Sequence, residues 1–258
     1  MVFTESTLEL DGCRVRLRRG GSGPPLLYLH GASGAAQVLP FMDQLAERFD
    51  VLVPEHPGFG QSDEPEWLEN IHDLAYFYLD FLRHLDLAQV LLVGSSIGGW
   101  LALEIAVRDC SRLKSIVAVG PSGIAAPEGL QPADIFLWSP EDTARNLFHD
   151  AAFTEKMLAQ PMTPEALDLS LKNRHAVARL AWEPRLHDPF LHKWLHRIDV
   201  PVKIIWGRQD RVLAVGFLDS YKKFLPKAEF EIFDNCGHLP QVEKAGQFCD
   251  SVIRFACK

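Results

Sequence analysis

The chain has 258 residues, 34 acidic and 26 basic, for a formal charge of −8; 47% are hydrophobic and 23% charged. A chain of this length buries enough apolar surface to fold without disulfides or a structural metal, and it suits one large α/β domain or a core carrying an insertion. The acidic sum, with no dense Lys/Arg cluster, argues against a nucleic-acid partner, and no apolar run approaches the roughly 18 residues of a membrane-spanning helix.

Residues 1–6 carry no basic segment followed by an apolar stretch, so no secretory leader is expected, and a reducing cytoplasm is the expected compartment. Arg14-Val15-Arg16-Leu17-Arg18-Arg19 alternates as the solvated face of a strand does. Short apolar runs rich in β-branched residues recur at 26–29, 51–53, 90–93, 116–119, 202–206 and 230–233. Continuous rather than alternating runs fit strands covered on both faces, as in a parallel sheet. Between them, Leu68, Ile71, Leu74, Ala75, Tyr78, Leu82 and Leu85 share one helical face, and a further helix is expected from about Ile97 to Arg108. Alternating strand and helix patterns predict an α/β fold with right-handed crossovers.

The alternation stops between about 121 and 198, a stretch rich in proline and in large aromatics, among them Phe136, Trp138, Phe148, Phe153, Trp182, Phe190 and Trp194. Periodic pieces near 140–150, 152–160, 164–181 and 189–197 read as short helices. Nearly eighty residues are too many for a loop, so 121–198 is expected to form a helical cap on a core made of 1–120 and 199–258. The five cysteines, Cys13, Cys110, Cys236, Cys249 and Cys257, are odd in number and lack a C-x-x-C pair, which argues against a disulfide framework or a structural zinc site.

The sharpest chemical signal is Gly94-Ser95-Ser96-Ile97-Gly98, set between the strand at 90–93 and the helix that follows. G-x-S-x-G in that setting marks a nucleophile elbow: the serine occupies a strained strand-to-helix turn, and only glycine fits two positions before and after it. The motif occurs by chance too often to stand alone; its placement strengthens it. His30-Gly31-Ala32-Ser33-Gly34 directly follows the strand at 26–29, where a glycine-rich turn can aim backbone N–H groups at an oxyanion. The backbone N–H groups of Ala32 and Ile97 are the candidate donors; the plainer reading is a βα turn with a structural His30. Trp206-Gly207-Arg208-Gln209-Asp210 and Asn235-Cys236-Gly237-His238 each follow a strand too. Taken singly, Asp210 is a turn former and His238 a packed histidine. The chain order Ser96, Asp210, His238, each just beyond a strand's carboxyl end, is that of a Ser-His-Asp acyl-transfer site.

Together with Pro54-Glu55-His56-Pro57-Gly58-Phe59-Gly60-Gln61-Ser62 and the trailing Leu239-Pro240-Gln241-Val242-Glu243, these segments resemble the α/β-hydrolase superfamily over essentially the whole chain. The resemblance implies an eight-stranded, mostly parallel sheet with helices on both faces and a helical cap after the sixth strand. It further implies Ser96 as nucleophile, His238 as base and Asp210 as the acid that orients it. Serine at the elbow departs from the relatives that cleave carbon–halogen bonds or epoxides, which carry aspartate there. Meta-cleavage-product hydrolases, similar in size and cap placement, usually have Asn before the nucleophile and Trp after the histidine, where this chain has Ser95 and Leu239.

The expectation is a serine hydrolase acting on a small carboxylic ester or lactone, a small-molecule substrate, without a cofactor, metal, nucleic-acid or membrane partner. His30, Ser33, Phe136, Trp138, Phe148, Trp182 and Leu239 are the candidate pocket residues, although packing of the cap onto the core is the simpler explanation of each cap aromatic. Carbon–carbon bond hydrolysis of a vinylogous diketone is the alternative, with Arg145, Arg174 or Arg179 to hold a carboxylate. A ligand-binding protein on the same scaffold has no physical need of all three catalytic residues. His187, His192 and His196 lie close in sequence, but Lys193 stands where a zinc peptidase has glutamate, so they are expected to be partly buried cap histidines. Cys236 is expected to be a small buried residue. No phosphate-cradling glycine loop follows a strand, so no nucleotide is expected.

Overall fold

The computed structural model describes residues 2–258. Eight strands, β1 Thr4–Leu10, β2 Cys13–Gly20, β3 Pro25–Leu29, β4 Asp50–Pro54, β5 Val90–Ser95, β6 Leu113–Val119, β7 Val202–Gly207 and β8 Glu229–Phe233, form one sheet. Their order is β1-β2-β4-β3-β5-β6-β7-β8. β2 runs antiparallel to both of its neighbours; every other pair is parallel. Helices α1 Pro40–Leu45, α2 Ile71–His84 and α3 Ile97–Arg108 fill the connections from β3 to β6. Four more, α4 Pro140–Leu147, α5 Ala151–Leu158, α6 Pro164–Ala181 and α7 Leu191–Trp194, lie between β6 and β7 with no strand among them. α8 Leu218–Phe224 connects β7 to β8, and α9 Pro240–Glu243 and α10 Ala245–Ala256 follow. Among the described residues, no helix is long and apolar enough to cross a membrane.

The continuous apolar strands have the expected cause. Along β5 the side chains divide by alternation: Val90 and Leu92 pack into one core with α2 and α3, while Leu91 and Val93 join α1 and α10 on the opposite face. A central strand covered on both sides has no polar face, so its pattern is unbroken. The helix read from 68 begins at Ile71, because the Asn70 side chain accepts the N–H groups of His72 and Asp73 and caps it there.

β1 has no apolar run and did not register as a strand; it is an edge strand exposed over most of its length. The arginines of β2 are not a uniformly solvated face. Arg14 pairs with Asp63 and Arg19 with Asp50 near the surface, but Arg18 is buried and donates to the carbonyls of Ala35 and Ala36, 3.7 Å from the buried Glu55 carboxylate. A strand's alternation cannot reveal this, because the loop that covers Arg18 comes from after β3. His196, expected to be partly buried, is exposed: α7 gives way to a 3₁₀ turn at Leu195–Arg197, which swings it out against Trp194.

The two ends of the helical segment are tied to each other, with Gly123 N–H donating to Leu186 O at 2.9 Å and Asp188 N–H to Gly123 O at 3.1 Å. Beneath the sheet's carboxyl edge two histidines are buried together. The His30 and His56 rings stack at 3.7 Å. The His56 backbone N–H donates to His30 Nε2, His56 Nε2–H to His30 O, and the Tyr78 hydroxyl to His56 Nδ1. His30 Nε2 is therefore an acceptor and its proton sits on Nδ1, toward Gly31 O. Burial drives both toward the neutral form: His30 is pushed down to about 4, and His56 well below the usual range. The unfolded chain, whose histidines titrate near about 6.5, binds protons between pH ~6.5 and ~4 that the folded chain refuses, so stability falls as pH drops through that window. His30 alone accounts for about 3 kcal/mol by pH 4. Denaturant unfolding measured from pH 7.5 to 4.5 is expected to show this loss beginning above the carboxylate range; a flat stability down to pH 5 contradicts it.

Candidate active site

Ser96 sits between β5 and α3 at φ +56° and ψ −117°, a left-handed conformation that side chains rarely adopt. Its backbone is fully engaged: Ser96 N–H donates to Val119 O at 2.8 Å, and Ser96 O accepts from Trp100 and Ser122. The flanking glycines follow from close approach. A Cβ on Gly94 would run into the Gly98 carbonyl, and one on Gly98 into the carbonyls of Leu29 and His30. The hydroxyl remains open, making no hydrogen bond among the described residues, and the N-terminus of α3 lies behind it, favouring negative charge at that point.

Asp210 and His238 come together from the ends of β7 and β8. His238 Nδ1 lies 2.7 Å from Asp210 Oδ2, and both side chains are buried. Asp210 Oδ1 accepts the N–H groups of Val212 and Leu213 at 2.8 and 2.9 Å, which fixes the carboxylate plane and leaves Oδ2 for the imidazole. The Gln209 side chain accepts Cys236 N–H, stitching the aspartate loop to the histidine loop. Asp210 and His238 both pack on Gly120, just past β6, and Val119 holds the Ser96 N–H, so the three converge on one patch of the sheet edge. Ser96 and His238 are not hydrogen-bonded; such a bond is often loose until substrate tightens it. Cys236 is fully buried, and burial pushes its thiol up to about 12, so it holds no thiolate at neutral pH.

The loop after β3 lies over Ser96, with the Gly31 Cβ direction 3.3 Å from Ser96 Cβ. Residues 31–34 form a turn closed by Gly34 N–H to Gly31 O, 3.1 Å. Among the described residues neither Ala32 N–H nor Ile97 N–H has an acceptor. The other proposed pocket residues scatter. His30 is 1% exposed, its ring spent on His56 and Phe59. Ser33 is exposed at the turn. Phe148 is buried against Phe153, and the half-buried Trp138 and Leu239 pack on the main core. Phe136 and Trp182 meet edge to face with the Arg185 guanidinium against both rings.

Sequence reading missed several supporting residues. Glu243, quoted above without a role, accepts the N–H groups of Gly237, His149 and Asp150 at 2.8–3.1 Å, and His238 N–H donates to Leu147 O at 2.9 Å. The histidine loop is thereby fastened to the α4–α5 junction. Gln241 Nε2 donates to Ser95 Oγ, linking that loop to the elbow. The residue types that could hold a metal meet elsewhere, at His72, Glu104 and Asp188. Arg108 already occupies that group, 2.6 Å from Glu104 Oε2 and 2.7 Å from His72 Nδ1, and supplies the positive charge itself.

A model of the Alpha/beta hydrolase family matches residues 26–251, and the chain belongs to that family. It is a hydrolase. Over 253 residues it is 30% identical to a 2-hydroxy-6-oxononadienedioate/2-hydroxy-6-oxononatrienedioate hydrolase of Paraburkholderia phymatum, covering 91% of this chain and 84% of that protein. Its fold is similar to that of an esterase from a Rhodococcus species, with a TM-score of 0.78, 20% identity and coverage of 100% and 99%. It is similar as well to a 2-hydroxy-6-oxo-6-phenylhexa-2,4-dienoate hydrolase from a Rhodococcus strain, with a TM-score of 0.77, 23% identity and coverage of 98% and 99%. The eight-stranded, mostly parallel sheet is the α/β-hydrolase sheet.

The elbow's glycines face backbone carbonyls, which cannot move aside. Gly98→Ala is expected to lower the unfolding free energy by roughly 1–3 kcal/mol in chemical denaturation, as overpacking does. A change within about 0.5 kcal/mol, typical of an uncrowded surface site, refutes the close-approach explanation.

Proposed function

We propose that this hydrolase works by acyl transfer through Ser96, His238 and Asp210, on small carboxylic esters or lactones. The observation that carries the reading is the 2.7 Å contact between His238 Nδ1 and Asp210 Oδ2, set beside a serine on a strained turn with an open hydroxyl. Ser96 Oγ attacks the substrate carbonyl while His238 Nε2 takes its proton; Asp210 holds the Nδ1–H tautomer and stabilises the imidazolium. The negative charge on the tetrahedral oxygen rests on the N–H groups of Ala32 and Ile97. As that intermediate collapses, the alcohol leaves with the proton from His238. Water then attacks the acyl-enzyme, gives its proton to His238 and releases the carboxylic acid as Ser96 recovers its own. Residues 121–198 act as the cap over this site, and no step needs a cofactor.

Carbon–carbon bond hydrolysis is the second reading, favoured by the 30% identity to the oxononadienedioate hydrolase. Its substrate class calls for a cation to hold a carboxylate. Arg145 is paired with Glu141, Arg174 donates to the carbonyls of Phe136 and Trp138, and Arg179 is paired with Glu64. Recruiting any of them breaks an existing contact, which favours the ester.

A fluorophosphonate probe followed by peptide mapping is expected to modify Ser96 stoichiometrically, and Ser96→Ala to lose both labelling and activity, the latter by at least about 10⁴-fold. A folded protein that is not labelled overturns the mechanism. Asp210→Asn keeps a carbonyl oxygen for Val212 and Leu213 but turns an NH₂ toward the imidazole and favours the wrong tautomer. It is expected to lower kcat by about 10⁴-fold on p-nitrophenyl esters. Steady-state turnover of a 2-hydroxy-6-oxodienoate exceeding that of the esters would reverse the order of the two readings.

A further inference from the structure

We propose that Asn173, in the middle of α6, is the positioning residue that sets the direction of the Ala32 N–H, so that the helical segment tunes the oxyanion site through one buried amide. The inference rests on the reading of Ala32 as an oxyanion donor.

Asn173 is 5% exposed. Its Oδ1 accepts Gly60 N–H at 2.9 Å, and its Nδ2 donates to Ser33 O at 3.0 Å. Because a backbone N–H can only donate, the contact with Gly60 fixes which end of the amide is oxygen, and the NH₂ is left aimed at Ser33 O. That carbonyl lies within the 31–34 turn, where Gly31 O accepts both Gly34 N–H at 3.1 Å and His30 Nδ1–H at 2.8 Å. The Ser33 O held by Asn173 shares a peptide plane with the Gly34 N–H, and the Gly31 O that this N–H grips shares a plane with the Ala32 N–H, so the hold on Ser33 O passes to the direction of the Ala32 N–H. The fit is tight. Gly34 has φ +80°, and a Cβ there would stand 2.7 Å from Asn173 Nδ2, so the turn sits directly on the amide.

The second anchor is itself rigid. Gln61 N–H, next to Gly60, donates to the buried Glu55 carboxylate at 2.8 Å, which holds the loop from within; Lys172 Nζ reaches the carbonyls of Gly60 and Ser62 only from the partly exposed side, at 2.8 and 2.7 Å. Asn173 therefore joins the turn to a fixed loop after β4. Asparagine is a poor interior helix residue, since its side chain competes for backbone groups. Here that same capacity is turned outward to two loops. An oxyanion donor contributes only when it is preorganised, and losing one outright costs about 10²–10³ in kcat.

The test compares Asn173→Asp, Asn173→Ala and Lys172→Met. Asn173→Asp keeps an acceptor for Gly60 N–H and loses the donor to Ser33 O. Asn173→Ala loses both and lets water in. Lys172→Met removes neighbouring contacts to the same loop but none to the turn. The measurements are kcat and KM on a p-nitrophenyl ester, per Ser96 site titrated with fluorophosphonate, and the affinity for a trifluoromethyl ketone, whose adduct with Ser96 carries the oxyanion. Both Asn173 variants are expected to lose roughly 10- to 100-fold in kcat and in ketone affinity, with KM within about threefold; Lys172→Met is expected to keep both. Counting active sites removes any loss due to unfolding, which a merely structural role would produce. Ketone affinity and kcat within twofold of wild type in both Asn173 variants overturn the proposal, as does an equal loss in Lys172→Met. Failure of the serine mechanism looks different: the wild type then has no labelled Ser96, and this proposal falls with it.

Discussion

Everything at the carboxyl edge of the sheet depends on one strained residue. A non-glycine held at φ +56° costs on the order of 1–3 kcal/mol, and such a conformation persists only where the surroundings over-determine it. They do so here through backbone alone: Val119 O receives the Ser96 N–H, and Ser96 O receives two N–H groups in return. Val119 and Ser122 are in reach because β5 lies beside β6 in the sheet, and Trp100 closes the first turn of α3. The position of β5 between β3 and β6 puts the glycine turn after β3 on one side of Ser96 and Gly120 after β6 on the other. The order of strands is thus the reason that residues far apart in the chain meet at one patch of the sheet edge.

The helical segment attaches to this edge by polar contacts to backbone as well as by apolar packing. Leu147 O takes the N–H of His238, Glu243 gathers three N–H groups from both sides of the junction, and Asn173 takes Gly60 N–H and gives to Ser33 O. Apolar contacts are tolerant of sliding, whereas a buried N–H that loses its acceptor costs about 1–3 kcal/mol. These contacts therefore set a register between the segment and the loops after β3, β4 and β8. A carboxylate receiving several N–H donors is stronger still, since the acceptor is charged.

Legibility in the sequence followed range. Gly94, Ser96 and Gly98 are constrained by atoms within a few residues or in the adjacent strand, so their spacing alone reports the turn. Asp210 and His238 each follow a strand directly, and their order was readable although their 2.7 Å contact was not. Asn173 and Ser33 are separated by 140 residues, and no local pattern encodes their meeting. The one available hint was a conflict: an asparagine near the centre of an otherwise good helix. Arg18 shows the same limit, since the strand's alternation gives its direction but not the loop that folds over it. β1 was invisible because an exposed edge strand needs no apolar run.

The aromatics of 121–198 make the remaining distinction between content and role. Phe148 and Phe153 stack within the segment, and Phe136 and Trp182 flank Arg185, whose charge is met by Asp134. A guanidinium laid against two rings that already touch each other, and paired with a carboxylate, makes a nearly neutral cluster whose stacking and pairing both restrict its rotamers. Two rings that would otherwise be free to fill a pocket are therefore committed to shape. Arg174, the residue directly after the amide that holds the glycine turn, ties the same cluster to α6 by donating to the carbonyls of Phe136 and Trp138. Rigidity on both faces of α6 is what allows a side chain at its centre to fix a backbone direction in the core. A segment bound only by loose aromatic packing could not transmit that constraint.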